Sequence, residues 1–278
     1  LTAGSRSAQG GLSLPLTRCG SVGWLALIGS GLFFVLTLLQ YGCVLLSGFL
    51  KSKKGVYSFT LDHWNELWSI GASPVVRSVA YALIVAVVGT LFAALFAYYM
   101  DRRRVPGRAF FDCIATMPYM LPGTCFGIGY ILAFNHAPFK LTGTAIIVLA
   151  NMLFKQLPTS AKICSATLAQ LQPAQERSAQ DLGAGRLAVI RDVVLPNMRP
   201  ALLSCFVYNF TSSMTTAGAI IFLIDPSRQL AVFRLFDAVY RGDYALASVR
   251  ASVITAIVLA VEGLVWLLSR KEGKRRVS

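Results

Sequence analysis

A chain of 278 residues that is 55% hydrophobic and 14% charged, with a net charge of +14 and a mean hydropathy of +0.62, is too apolar for an ordinary soluble domain. It belongs in a bilayer. The basic excess does not indicate nucleic acid, because no basic face interleaved with exposed aromatics occurs; it reports topology and anionic headgroups.

The chain opens on "LTAGSRSAQGGLSLPLTR", which is small, polar and Gly/Ser-rich and lacks the basic start and short apolar core of a signal peptide. Residues 1–20 are expected to be a cytoplasmic linker, and residues 21–278 a transmembrane domain. Apolar runs at Cys19–Leu50, Ser78–Met100, Cys113–Phe139 and Pro200–Ile224 each reach the roughly 20 residues of a spanning helix. Two weaker runs, Leu141–Phe154 and Ala251–Ser269, the latter interrupted by Glu262, bring the expectation to an all-α protein with six transmembrane helices.

The first span is expected near Val22–Phe49. It leads to a segment in which Leu61–Trp68 forms a short interfacial helix with Trp64 and Trp68 on one face. The second span covers Val75–Tyr99 and ends at the basic "DRRR". The third carries Pro118 and Pro122 four apart, then Gly123, Gly127 and Gly129, so it is expected to be kinked. A broken helix at membrane depth must pack on protein or line a cavity; the kink serves either a translocation pathway or packing. The fourth span is placed at Thr142–Leu157, ended by Pro158.

A loop of about residues 158–200 follows. Pro173 is suited to a helix first turn and Gly183 to a left-handed stop, which predicts a short helix with Ala174, Ser178, Ala179 and Leu182 on one low-bulk face. A second helix is expected from Arg186 to Leu195, closed by Pro196. The fifth span, Ala201–Phe222, places Asn209, Ser212, Ser213 and Thr216 on one polar face, which serves either a pathway or interhelical packing. A long segment with its own interfacial helix then leads to the sixth span, Ala251–Leu268. Glu262 is the one acidic residue in an expected span, which makes it either a functional group or, as its distance from Arg270 favours, a residue that snorkels or pairs with a basic one.

With both ends in the cytoplasm, 17 of the 26 basic residues lie inside, as the positive-inside rule requires. The six cysteines are scattered singly and there are two histidines, so neither a disulfide framework nor a protein-built metal site is expected. No G-x-x-x-x-G-K-[ST] phosphate loop, G-x-S-x-G elbow or H-E-x-x-H motif occurs, so the chain is not expected to be an enzyme or to bind a cofactor itself.

The loop resembles the cytoplasmic loop of binding-protein-dependent ABC importer permeases, whose pattern is Glu-Ala-Ala, three residues, Gly, nine residues, Ile, one residue, Leu-Pro. Ala179, Gly183, Val193, Leu195 and Pro196 fall at that spacing. Arg177 stands where the family has Glu, with Glu176 one place earlier, and Ser178 replaces the first Ala. "FTLDHWNEL", "LPGTCFGIGYILAFN" and "TTAGAIIFLIDPSRQL" are most similar to the ferric-iron type, with relatives for aminoethylphosphonate, thiamine and polyamines.

The resemblance implies a type I importer permease of a bacterial inner membrane, working by alternating access. Its implied partners are two cytosolic ATP-binding subunits carrying ATP and Mg, a second permease half, a periplasmic substrate-binding protein and lipid. The opening residues are similar to the junction before the second half of a fused permease. The alternative from another class is an ion-coupled secondary transporter, against which Glu262 standing alone argues.

Overall fold

The computed structural model describes residues 20–275 apart from 54–55, 70–71, 104, 137 and 139. The expected linker at 1–20 therefore lies almost wholly outside the described residues. Two units are distinguished, 1–43 and 44–278.

The first unit holds most of α1 (Ser21–Ser47), a 27-residue apolar helix with no buried residue. Its hydroxyls turn inward on their own helix: Ser30 and Thr37 donate to the carbonyls of Ala26 and Phe33 at 2.7 and 2.8 Å. Such back-bonding leaves an outer surface that lipid tolerates.

The second unit begins with an element the all-α expectation lacked. Strands β1 (Leu50–Lys53) and β2 (Val56–Phe59) pair antiparallel, with Leu50 opposite Phe59. Phe49, Phe59 and Trp64 stack beside them. The strands are only four residues long, too short for the alternation of apolar residues to reveal them. Helix α2 (Asp62–Ser69) occupies the expected interfacial position; the side chain of Trp68 lies outside the described residues.

Helix α3 (Ser73–Arg102) begins with Pro74 in its first turn and buries Ala82, Ala86, Thr90, Ala93 and Ala97 along one stripe. Small residues there let neighbouring backbones approach closely.

The third expected span is two helices. Helix α4 (Arg108–Met120) and helix α5 (Gly123–Phe134) meet at 113°. Pro122 forces Leu121 into an extended backbone, φ −94° and ψ 142°, because the residue before proline avoids the helical region. The kink anticipated from the prolines is a complete break.

The fourth span corrects the sequence reading in the opposite direction. Helix α6 runs from Ala145 to Gln170, straight through the buried Pro158. A proline removes one helical hydrogen bond, but within a bundle the neighbours offset that loss. The loop expected from residue 158 therefore starts only after residue 170.

Helix α7 (Pro173–Asp181) stops before Gly183, whose φ is +88°. The second loop helix is not closed by Pro196. Helix α8 (Arg186–Val189), a π-helical turn at Ile190–Val194 and α9 (Leu195–Asn197) lead almost without pause into α10 (Arg199–Thr215). Pro196 lies within this nearly continuous helical run, directly after the π-helical turn.

The fifth span is also broken. α10 ends at Thr216, which is extended at φ −74° and ψ 122°, and α11 (Ile220–Leu223) resumes after Gly218. A 3-10 turn (Pro226–Arg228) and α12 (Ala231–Tyr240) precede α13 (Tyr244–Arg275), which starts seven residues earlier than the sequence suggested. Ser78 accepts the first N–H of α12 from Ala231 at 2.8 Å, pinning α12 to the start of α3.

Among the described residues, α1, α3 and α13 are long and apolar enough to cross a membrane, and the bent pair α4–α5 makes a fourth. The count of six is thus not reproduced by length and apolarity alone. α6 carries Lys155, Gln156 and Lys162, and α10 has 17 residues. These two helices pack against α3 and against each other, which buries one face of each.

Candidate functional site

Three constellations contain the residues singled out in the sequence. The first is the loop. Ala179, Val193 and Leu195 pack against a buried cluster that includes Ala97, Tyr98, Leu168 and Val194. Glu176 is the anchor: Tyr98 donates its hydroxyl to Glu176 Oε2 at 3.2 Å, and Arg102 Nε lies 3.0 Å from Oε1. The Arg102 N–H is not aimed at that oxygen, so the contact is charge pairing. Arg102 Nη2 donates to the carbonyls of Leu168 and Leu171 at 2.8 and 2.7 Å, completing the C-terminus of α6. One arginine thus ties α3, α6 and α7 together.

The resemblance did not imply this bridge, because Arg177 holds the family's Glu position. Glu176 supplies it from one place earlier. Arg102 was missed; its only sequence signal was a basic residue at the end of a span.

Val189 and Ile190 are buried in the same cluster, whereas the turn around Gly183 faces outward. Ser178 turns its hydroxyl back to the Ala174 carbonyl. Leu182 and Leu187 are 90% and 79% exposed, on either side of the left-handed Gly183. Ala179 is the member of the expected low-bulk face that turns inward, and Leu182 is the one that projects.

The second constellation is a polar layer between α3, α6 and α10. Asn209 Nδ2 donates to Thr90 Oγ1 at 3.2 Å, and Ser160 donates to Asn209 Oδ1 at 2.7 Å. Gln156 is satisfied at both ends when its amide nitrogen faces Asn209 Oδ1 at 3.2 Å and its oxygen faces Ser213 Oγ at 2.9 Å, the orientation the network selects. Asn209, Gln156 and Ser160 are each 1% exposed. Thr216 donates to the Ser212 carbonyl at the point where α10 breaks.

Of the expected polar face, Asn209 and Ser213 therefore join the packing layer, while Ser212 diverges. It lines an open groove of about 710 Å³ between α10 and α13, with Tyr208, Thr211, Glu262 and Trp266. Glu262 has no hydrogen bond or ion pair among the described residues; Arg270 instead lies over the Trp266 ring at 5.2 Å.

The third constellation lies where the two broken spans meet. A Cβ on Gly123 would come 3.2 Å from Ala219 N, and one on Gly127 would come 2.7 Å from Ala219 O, so α5 rests against the break after α10 only because these positions are glycine. Pro118 and Gly123 line a small cavity there with Phe126, Tyr130, Asn151 and Lys155; Pro122 caps the start of α5. The sequence reading puts Lys155 at the cytoplasmic boundary of the fourth span, and the continuous α6 brings it inside. A lysine at the centre of a spanning helix costs about 2.5–3.5 kcal/mol by insertion scales.

His63, Glu66 and Asp243 bring their ligand atoms within 4.8 Å of one another, a grouping that single-chain spacing could not foresee. Arg250 supplies an opposing charge to both carboxylates, and Leu246 N donates to Asp243. The grouping is therefore part of a mixed ionic surface between α2 and α13.

Comparison with known proteins decides the family. The family model described as "binding-protein-dependent transport system inner membrane component" matches residues 86–271. The chain belongs to that family. It is 30% identical over 236 residues to the ferric transport system permease protein FbpB of Actinobacillus pleuropneumoniae, covering 83% of this chain and 34% of that protein. It is also 30% identical over 268 residues to the sulfate transport system permease protein CysT of Salmonella typhimurium, covering 90% and 94% respectively. The chain thus spans about a third of the length of the ferric relatives it matches. Among solved structures, a bacterial alginate ABC transporter in complex with an alginate pentasaccharide-bound periplasmic protein shares the fold, with a TM-score of 0.70, 17% identity and 90% and 94% coverage. By family the chain is an inner membrane component of a binding-protein-dependent transport system, and its fold is that of an ABC transporter membrane chain.

Proposed function

We propose that this chain is one membrane half of an ATP-driven importer, with the loop of residues 171–200 at the cytoplasmic side and both termini in the cytoplasm of a bacterial inner membrane. Residues 21–278 act as one permease preceded by the linker at 1–20, beside a second permease half that is fused or separate. A periplasmic binding protein delivers a small substrate, and two ATP-binding subunits holding ATP and Mg drive alternating access.

The observation that carries the reading is the form of the loop. It combines a stiff mount, through Glu176, Arg102, Ala179, Val193 and Leu195, with two large apolar side chains, Leu182 and Leu187, turned away from it. Exposed leucines on an otherwise polar loop favour a protein partner over water. A rigid mount lets movement of that partner reach α3 and α6 directly, because Arg102 joins both to α7.

The substrate reading from sequence was ferric iron. A ferric and a sulfate relative match at the same 30% identity, so relatedness alone does not choose between a cation and an oxyanion.

The test is to tag the native protein, extract it in mild detergent and identify what co-purifies. An ATPase subunit should be recovered, and it should be lost when Gly183→Val removes the left-handed turn at a local cost of about 1–2 kcal/mol. Recovery of the chain only with itself would sink the importer reading in favour of an ion-coupled transporter.

A further inference from the structure

We infer that Lys155, Asn151 and Tyr130 form an oxyanion-binding subsite at the break between α4 and α5, so that the cargo is a small oxyanion rather than a bare metal cation. The inference rests on the importer reading and names its substrate class.

The placement comes first. Lys155 is ten residues into α6, which begins at Ala145, and therefore about 15 Å along it. That is roughly half of the ~30 Å hydrocarbon thickness. No hydrogen bond or ion pair engages its ammonium among the described residues. Lys162, two turns further on, shares its cavity with Asp101 and Asp112; Lys155 shares its own with no carboxylate.

The cavity wall around Lys155 is largely apolar, with Pro118, Phe126 and Phe154, and the polar side chains that join it are those of Asn151 and Tyr130. Asn151, one turn earlier on the same face, is 3% exposed, and its Nδ2 has no partner. A buried amide that lacks an acceptor is rare and needs a reason. The packing of α6 does not supply one, since Gln156 and Ser160 on the adjacent face are fully bonded. Tyr130 lines the same cavity. Helix α5, twelve residues long, starts there at Gly123 and contributes the partial positive charge of its N-terminus. An ammonium, an amide N–H, a phenol and a helix start with no opposing acid suit an anion bearing several acceptor oxygens, and they repel a cation.

The cavity is closed down to about 10 Å³, room for no more than a water. It shares Phe126 and Tyr130 with an open groove of about 370 Å³ along α5. Entry of an oxyanion therefore requires α5 to move off α6, and the glycine contact at Ala219 is the surface on which α5 would pivot.

The experiment uses the complete transporter, with its second permease half, ATPase subunits and binding protein, in proteoliposomes. Uptake of radiolabelled sulfate, 2-aminoethylphosphonate and ferric ion is measured alongside ATP hydrolysis stimulated by the binding protein. Uptake of one oxyanion probe is expected in the wild type. Lys155→Arg should keep it, Lys155→Gln should lower it about ten- to hundredfold, the scale of one charged hydrogen bond, and Lys155→Glu should abolish it while the ATPase subunits still co-purify. Uptake of ferric ion alone, uptake of no oxyanion probe, or oxyanion uptake indifferent to Lys155→Glu would overturn the subsite while stimulated hydrolysis left the importer intact. Absence of stimulated hydrolysis in the wild type would overturn the importer reading, and the subsite with it.

Discussion

Helix α6 carries two polar pairs one residue out of phase, and their fates differ. Gln156 and Ser160 face α3 and α10, where Asn209 and Ser213 satisfy the groups they present and Thr90 accepts in turn from Asn209. Asn151 and Lys155 face the α4–α5 break, where an amide and an ammonium converge with no acceptor. The first pair is structural glue of the kind that holds membrane helices together. The second is costly to the fold and is explained only by what passes it. A polar residue inside a membrane bundle is thus read by its completeness: a closed network indicates packing, and an open one indicates a ligand.

The contrast can be broken by apolar replacement on each side. Asn209→Leu should be the most damaging change, since it strips Thr90, Ser160 and Gln156 of a partner at once, a loss of about 3 kcal/mol or more when each orphaned group costs about 1–3 kcal/mol. Thermal unfolding in detergent should show a large drop or failure to assemble; an unchanged midpoint would mean that the layer is dispensable. Gly127→Val comes next. Its Cβ would meet the Ala219 carbonyl oxygen at 2.7 Å, and overpacking of that kind costs about 1–3 kcal/mol. A variant as stable as the wild type would show that α5 does not rest on the second break.

Lys155→Met should move the other way, raising stability by about 1 kcal/mol while uptake is lost, the usual exchange at a functional site. A destabilised Lys155→Met would place the lysine among the packing residues instead. Tyr98→Phe, which removes one hydrogen bond to Glu176 but leaves Arg102 in place, should cost only about 0.5–1 kcal/mol, read as a small decline in unfolding midpoint.

The membrane class, α1, α3 and α7 were legible in sequence because each rests on local chemistry: apolar length for the spans, Pro173 and Gly183 for the ends of α7. The breaks were half legible. Pro118 and Pro122 announced a disturbance, but whether a proline bends a helix, ends it or is absorbed depends on what packs beside it. Pro122 breaks the chain by 113°, whereas Pro158 passes inside α6. That one difference hid Lys155, since a helix stopped at Leu157 would have left it at a boundary. The division of the polar face on α10 was likewise invisible, because Asn209 and Ser212 differ only in which neighbours they meet. Arg102 and Glu176 are 74 positions apart, beyond any local pattern.

The proposed grip of the loop between α6 and α10 on an ATP-hydrolysing partner can be trapped by a photo-crosslinking amino acid placed at Leu182, in native membranes and with an intact chain. Mass spectrometry of the adduct should find an ATP-binding subunit joined at that position; adducts with lipid alone, or with another copy of this chain alone, would show that the loop does not hold such a partner.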